Sequence, residues 1–488
     1  MGTEIEQIQF TPDEVTAFKA RLEENLTSLQ KLLATPGFGT GPASVGAELE
    51  MYVIDAQGHP LHSNQEILQR ANDSQLTLEL NRYNLEYNLT PCLIAEQAFA
   101  AIEMQLQTQL GRLNQLSAEL DGRVVPIGIL PTLTDRDLGA HCITDRKRYH
   151  ALVAQLIRRR GSHFSVDING ENPLKLDMAD ITLEGANTSF QVHYRVNPDS
   201  FADIFNAIQM ATPLALALAA NSPTLFGRCL WHETRIPLFK QSIDTRHRDR
   251  YGWNEPPRVN FGRGWLRDGA LEQFQEVVRL YEPLLPVCDN NDENPPVPRL
   301  SELRLHQSTV WLWNRPIYDD ADGGMLRVEM RALPAGPTPV DMAANSAFLI
   351  GLAEGLKPMI NDLMPALPFN TAEYNFYRAA QFGLDAKLVW PEIRQYGGKP
   401  RPILQILEEM LPLARNGLQS IGVSHEEIER YMTVIEQRIV KNQTGATWQL
   451  EKLRQLGLGE GNPEALYLML EQYIQNSRAN LPVAEWQL

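Results

Sequence analysis

Apolar and polar positions change period several times along the chain, and the changes mark out its elements. Val15, Phe18, Leu22, Leu26, Leu29 and Leu33 recur at helical spacing. Thr11-Pro12-Asp13-Glu14 precedes them with a capping hydroxyl, a first-turn proline and acids for the positive end of the helix dipole. The glycine-rich stretch 37–42 ends that helix. It lacks the Lys-Ser/Thr of a phosphate loop and precedes a strand, so it reads as a linker. Further helices are predicted over 95–120 and 201–220, the second closing at Asn221-Ser222-Pro223. Residues 243–300 are rich in Pro, Arg, Asp and Asn and read as a loop-dominated excursion. From about 341 the pattern is helical almost throughout, with Asn442-Gln443-Thr444-Gly445 separating helices near 424–441 and 446–456. No internal repeat and no low-complexity tail is visible.

Between the helices the period falls to two. In 45–53 the odd positions are apolar, while Glu48 and Glu50 share the opposite face. Residues 76–80 place Glu79 opposite their leucines. After a kink at Arg82-Tyr83, Asn84, Glu86 and Asn88 oppose Leu85, Tyr87 and Leu89. In 188–196 the residues Ser189, Gln191, His193 and Arg195 share a face, and 301–306 read as a strand joining Glu302, Arg304 and His306. In 326–332 Arg327, Glu329 and Arg331 oppose Leu326, Val328 and Met330. One such strand is an antiparallel sheet with a wet side. As a set they differ, because the polar faces carry glutamates, a histidine and paired arginines with almost no lysine. Glutamates this concentrated repel one another unless cations neutralise them, and oxygen ligands with an occasional imidazole suit Mg2+ or Mn2+ over zinc. Such ions bridge nucleotide phosphates, and nearby arginines stabilise a transferring phosphoryl group, so the pattern implies phosphoryl chemistry at a multi-metal site.

Bulk composition narrows the partners. The 488 residues, 43% hydrophobic and 21% charged, have the make-up of a globular protein with a large core. A net charge of −16 argues against nucleic acid or an anionic membrane as the main partner, while bound divalent cations would let a nucleotide in. Cys92, Cys142, Cys229 and Cys288 lie far apart without metal-like spacing, which points to a reduced, cytoplasmic setting. The first residues carry no signal-peptide or myristoylation pattern. The most apolar run, 211–220, contains Pro213 and is about half the length of a membrane span, so it reads as a buried helix. His59, His62, His141 and His163 read as surface histidines and Trp448 as core.

The strand Val45-Gly46-Ala47-Glu48-Leu49-Glu50 resembles the opening G-x-E-x-E strand of glutamate–cysteine ligases and related carboxylate–amine ligases of the glutamine synthetase superfamily. Glu79-Leu80 and Glu86-Tyr87-Asn88-Leu89-Thr90-Pro91 resemble that family's second acidic strand. Thr188–His193 lies between a His-Val-His and a Gln-Val-Asn variant. Trp311–Pro316, Leu326–Arg331 and Thr338 resemble its W-W-x-x-R-P, L-E-x-R and P-T block, and Asn221-Ser222-Pro223 its A-N-S-P turn. The matches run in order over roughly 45–355.

The resemblance implies an α+β fold: a curved, mostly antiparallel sheet lining the active site, with helices on its outer face. It implies a catalytic ligase domain over 1–360, including the 243–300 excursion, and a helical region over 361–488 packed on the same unit. The implied reaction joins a carboxylate to an amine through an acyl phosphate, with ATP cleaved to ADP and phosphate. By the same resemblance Glu48, Glu50, Glu79, Glu86, His193 and Glu329 would hold Mg2+ or Mn2+. Arg331, with Glu329 and Arg327, would serve the transfer itself. Arg315, Gln191, His193 and Arg331 would contact ATP. Arg148 and Tyr149 resemble a substrate-proximal Arg-Tyr, and Glu233 and Arg235 would line the amino-acid pocket. Gln191 and the excursion depart from the family pattern. That leaves open a same-fold ligase joining another pair, or an inactive relative that binds nucleotide or amino acid. A metal-dependent hydrolase would show His-rich or Asp-rich ligand spacing, which is missing. The partners are amino acids and ATP, and the oligomeric state stays open. Replacing Glu50 or Glu329 by glutamine is predicted to abolish ATP turnover while leaving the fold intact; normal turnover in both variants would sink the ligand assignment.

Overall fold

An eight-stranded sheet organises the chain in the computed structural model, which describes residues 5, 7–246, 255–289, 295–391, 398–458, 462 and 464–488. Its strands are β1 (Ser44–Ile54), β2 (Leu76–Leu78), β3 (Asn84–Asn88), β4 (Cys92–Leu93), β5 (Arg123–Val125), β6 (Phe190–Val196), β7 (Asn314–Asp319) and β8 (Met325–Met330). All pairings are antiparallel, in the order β7-β8-β6-β1-β3-β2, with β4 and β5 also on β1. The pleat separates the two faces. Val45, Ala47, Leu49, Met51, Leu85, Val192, Val328 and Met330 go to the core, and the glutamates go to the other side.

The main helices are α1 (Pro12–Leu33), α2 (Ala98–Ala118), α3 (Lys147–Arg160), α4 (Phe201–Ala219), α5 (Pro339–Leu356), α6 (Ile403–Ser420), α7 (His425–Lys441), α8 (Gly445–Gln455) and α9 (Ala465–Arg478). Of these α2, α4 and α5 pack on the apolar face of the sheet, whereas α3 borders the cleft on the other side. The predicted cap of α1 forms, with Glu14 N–H donating to Thr11 Oγ1 at 3.3 Å and Thr11 N–H to Glu14 Oε2 at 2.7 Å. Every residue of α5 is buried, as expected of a helix with apolar and small residues on all sides. It packs against α2, α4, α6 and α7. The crossing with α6 is so close that a Cβ on Gly417 would stand 1.9 Å from the Gly351 carbonyl oxygen, so glycine is required there. The segment 198–219 is long and apolar enough to cross a membrane, but α4 lies inside this core.

Two expectations change. Residues 301–306 are not a strand: Ser301–Gln307 is a helix, so Glu302, Arg304 and His306 do not share a face. Glu302 turns inward to accept from the Asp289 N–H at 3.0 Å, and His306 Nε2 donates to the Val277 carbonyl at 3.1 Å. A six-residue alternation fits either period, and burial of Leu303 and Leu305 together with Glu302 and His306 decides for the helix. The excursion, of which 247–254 and 290–294 lie outside the described residues, also carries a helix, Ala270–Leu280. Ala270, Gln273, Phe274 and Val277 are buried at helical spacing.

The C-terminal helices are tied to this core through one buried cation. Arg438 of α7, 1% exposed, donates to Asp341 Oδ1 at 2.7 Å, to Asn345 Oδ1 at 2.6 Å and to the Leu218 carbonyl at 3.2 Å. Asp341 also accepts the Val483 N–H at 3.0 Å, so one carboxylate joins α5, α7 and the chain end. Removing the cation strands a buried charge. Arg438→Ala is therefore predicted to destabilise the protein by about 3–5 kcal/mol in a single urea transition. A loss under about 1 kcal/mol, or two separated transitions, would contradict a shared core.

Candidate active site

Strand register brings the marked residues into rows. On β1, Glu48 and Glu50 point into a concave cleft of about 540 Å³. Across the β1–β3 ladder Glu86 stands opposite Glu50. Across β1–β6 Gln191 stands opposite Glu48, and across β6–β8 Glu329 stands opposite His193. Glu79 follows directly on the end of β2, and Arg315 on β7 faces Glu329.

These side chains form two groups whose potential ligand atoms lie within 4.8 Å of one another: Glu48, His193 and Glu329, and Glu50, Glu79 and Glu86. In the first, His193 Nε2 is 3.1 Å from Glu48 Oε1 and 3.8 Å from Glu329 Oε1. The Nε2–Glu48 approach is close but misaligned. Both ring nitrogens are buried with no hydrogen-bond partner among the described residues. Glu329 is clamped by Arg315, whose Nη2 lies 3.1 Å from Oε1, and by Arg331, whose Nη1 lies 3.0 Å from Oε2. Arg331 also donates to Gln191 Oε1. Gln191 Nε2 in turn donates to Glu50 Oε1 at 3.0 Å, and the Ser189 N–H donates to Glu50 Oε2 at 2.6 Å. An amide thus links the two groups. In the second group Glu86 Oε1 accepts from Asn88 Nδ2 at 2.8 Å and Thr77 Oγ1 at 3.0 Å.

The two groups are charged differently. Burial alone would raise Glu329, yet Arg315, Arg331 and His193 hold it well below the usual carboxylate range. Burial likewise opposes ionisation of Glu48, and His193 outweighs it. In the second group burial dominates, aided by like charge. Glu86 is pushed up to about 7 by burial, then by Glu48 and Glu50. Glu79 is pushed well above its ordinary value by burial, then by Glu86 and Glu50. Glu50 is raised by burial and restrained by Arg331. Three carboxylates this close cannot all ionise unless a cation joins them. An orphaned imidazole between two carboxylates and a proton-loaded carboxylate trio both fit divalent cations with oxygen-rich ligand sets.

Other sequence-predicted residues divide. Arg148 and Tyr149, in the first turn of α3, line the cleft; Arg148 Nη2 donates to Ser308 Oγ at 3.2 Å and the Tyr149 hydroxyl to the Leu78 carbonyl. Arg327 lines it too and donates to Asp319 Oδ2 at 2.7 Å. Glu233 and Arg235 do not line it. They pair with each other at 3.0 Å, 0% and 2% exposed, while Glu233 accepts from the Asn221 N–H and Ser222 Oγ at 2.8 and 2.6 Å. Their charges hold the Asn-Ser-Pro turn against the helix Arg235–Ser242, and Arg235 Nη1 donates to the Ala332 carbonyl at 3.1 Å, just past β8. His59, His62, His141 and His163 are exposed, and none lines the cleft. Trp448 is buried in a second core cluster. Sequence reasoning missed Glu184, which lines the cleft and is pushed up to about 8 by burial and then by Glu50. It sits in the helical turn Glu184–Ala186, where no alternation marks it. Arg146 and Trp311 were also missed as cleft residues.

Comparison with known proteins follows the same lines. No protein of curated function matches the chain in sequence. Among solved structures, a glutamate–cysteine ligase from Francisella tularensis in complex with AMP is similar at 12% identity and a TM-score of 0.50, over 92% of this chain and 96% of that one. A bifunctional glutathione synthetase from Pasteurella multocida is similar at 12% identity and a TM-score of 0.52, over 95% of this chain and 55% of that one. At such identities the likeness is one of fold. Residues 44–468 match the sequence pattern of glutamate–cysteine ligase family 2, within which both triads and their arginines fall. The chain belongs to glutamate–cysteine ligase family 2 and is an ATP-dependent carbon–nitrogen ligase.

Proposed function

We propose that the chain forms a γ-glutamyl amide through an acyl phosphate. The observation that carries this reading is the pair of triads, one of two glutamates with a histidine and one of three glutamates, joined by Gln191 and flanked by Arg315 and Arg331 on one concave sheet face. An oxygen of the substrate side-chain carboxylate attacks the γ-phosphorus of ATP, the bond to the bridging oxygen breaks, and ADP leaves. The amine nitrogen then attacks the acyl carbon, and the carbon–oxygen bond to phosphate breaks. The nitrogen loses a proton as the amide forms. Glu48, His193 and Glu329 would hold one Mg2+ or Mn2+ and Glu50, Glu79 and Glu86 another, supplying neutralisation of phosphate charge. Arg331 and Arg315 already share Glu329, and they turn their remaining N–H groups toward charge that builds on the transferring phosphoryl. Arg327 adds positive potential farther along β8. Arg148 and Tyr149 bound the other wall, where the acid substrate is held. Glu233 and Arg235, buried and paired with each other, lie outside the cleft lining and hold the Asn-Ser-Pro turn.

ADP release with Mg2+ and ATP, scanned over single amino acids and pairs, tests the reading. Release that needs glutamate plus cysteine is the expected result. Release with a different pair keeps the mechanism and changes the substrates. Nucleotide binding without release for any pair would mark an inactive relative.

The proton load gives a second test. Glu86 and Glu184 have folded pKa values near 7 and 8, above the unfolded value. Their contribution to stability is complete at low pH and is lost as pH rises through those values. The metal-free protein should therefore melt at progressively lower temperature from about pH 4.5 to about pH 8, above which these two groups add no further change. Added Mg2+ displaces the protons and should raise the melting temperature more at the alkaline end. A Mg2+ shift that is the same at both ends would remove the second triad as a cation site.

A further inference from the structure

A cavity of about 390 Å³ lies apart from the cleft and shares no lining residue with it. It opens between α2 and α9, with β5 as its floor. The size is that of a pocket for a small organic molecule. Leu110, Val125, Pro126, Pro339 and Ile474 give it an apolar lining. Most of its polar groups are already committed to the protein. Ser477 Oγ donates to the Pro337 carbonyl at 2.7 Å, Asn480 bridges Glu103 and the Val340 N–H at 2.9 Å each, and Asn114 Oδ1 accepts the Val124 N–H at 3.0 Å.

The exception is Arg478. Asn114 Oδ1 receives its Nη2 at 3.0 Å and fixes the guanidinium at the cavity wall, but no carboxylate among the described residues pairs with it. The nearby Glu471 is engaged by Arg123 at 2.7 Å. Arg478 is solvent-exposed at the rim and feels Arg123 as well as Glu471, so in a chain of net charge −16 two guanidiniums here share one carboxylate. The second observation is Gly111, in the middle of α2 and on the cavity lining. A Cβ built there meets nothing within 4 Å, so packing does not require glycine, although glycine weakens a helix interior. Gly111 is exposed on the cavity lining, so a side chain placed there has open space to occupy at the cavity rim.

From the apolar lining, the tethered arginine and the open mouth we infer that this cavity is a second small-molecule site, for an organic anion with one carboxylate or sulfonate and a compact apolar body. The anionic head pairs with Arg478 and the body lies over Val125 and Ile474.

The test uses anilinonaphthalene sulfonate, one sulfonate on an aromatic body, titrated into the full-length protein by calorimetry and fluorescence. One-to-one saturable binding is expected, undisturbed by Mg2+ and ATP. Arg478→Met should weaken it about tenfold or more, the worth of a charge-assisted hydrogen bond. Gly111→Trp should abolish it from the opposite wall, and Gly111→Ala should leave most of it. Several results would overturn the inference: no saturable binding, affinity unchanged in both Arg478→Met and Gly111→Trp, or displacement by Mg2+ and ATP. So would a dimer in sedimentation that Gly111→Trp dissociates, since a second copy would then cover the cavity.

Discussion

Carboxylates that cannot all be charged at once set the terms for the whole molecule. Glu48, Glu50, Glu79, Glu86, Glu184 and Glu329 face one cleft, and bringing them together in a low dielectric costs far more than any single hydrogen bond returns. The chain divides the cost. At the β6–β8 end Arg315, Arg331 and His193 keep Glu329 ionised, while at the β1–β3 end burial and like charge push Glu79 and Glu86 toward their protonated forms. The cleft thus has one end where arginines hold a carboxylate ionised and another where burial favours protonated carboxyls. Its order depends on strands that stay in register, because a slip of one residue would send every glutamate into the core.

Rigidity behind the sheet makes that register dependable. The core face of β1, β6 and β8 meets helices with little polar surface. Of these α5 is buried along its whole length and crosses α6 with glycine against glycine. Arg438 and Asp341 add a charge pair inside the apolar layer, with enough hydrogen bonds to satisfy both partners. The polar substructure is thus carried on a base that has few ways to relax.

Much of this was legible in the sequence, for a physical reason. A strand between a packed core and a charged cleft alternates strongly, so β1, β3, β6 and β8 declared both their conformation and the face they turn to the cleft. Where the alternation was too short to exclude a helix, as at 301–307, the reading failed, and tertiary burial of Glu302 and His306 decided the matter. Glu233 and Arg235 were assigned by motif position, but a buried ion pair and an exposed ligand pair look identical in sequence. Glu184 escaped because a single helical turn carries no period. The strands revealed one wall of the cleft; Arg148 and Tyr149 at the start of α3 were reached only through the family motif, and Glu184 and Arg146 needed coordinates.

The burial of α4 has a consequence for synthesis. Its 198–219 stretch is apolar enough to pass for a membrane segment, and it emerges from the ribosome about 120 residues before α5, which covers it. At ordinary elongation speeds that interval lasts roughly 6 to 24 s. During it the chain exposes a hydrophobic helix with no native partner for much of its surface. The residues of α5 that cover α4 most extensively are therefore made only after the whole of 220–338.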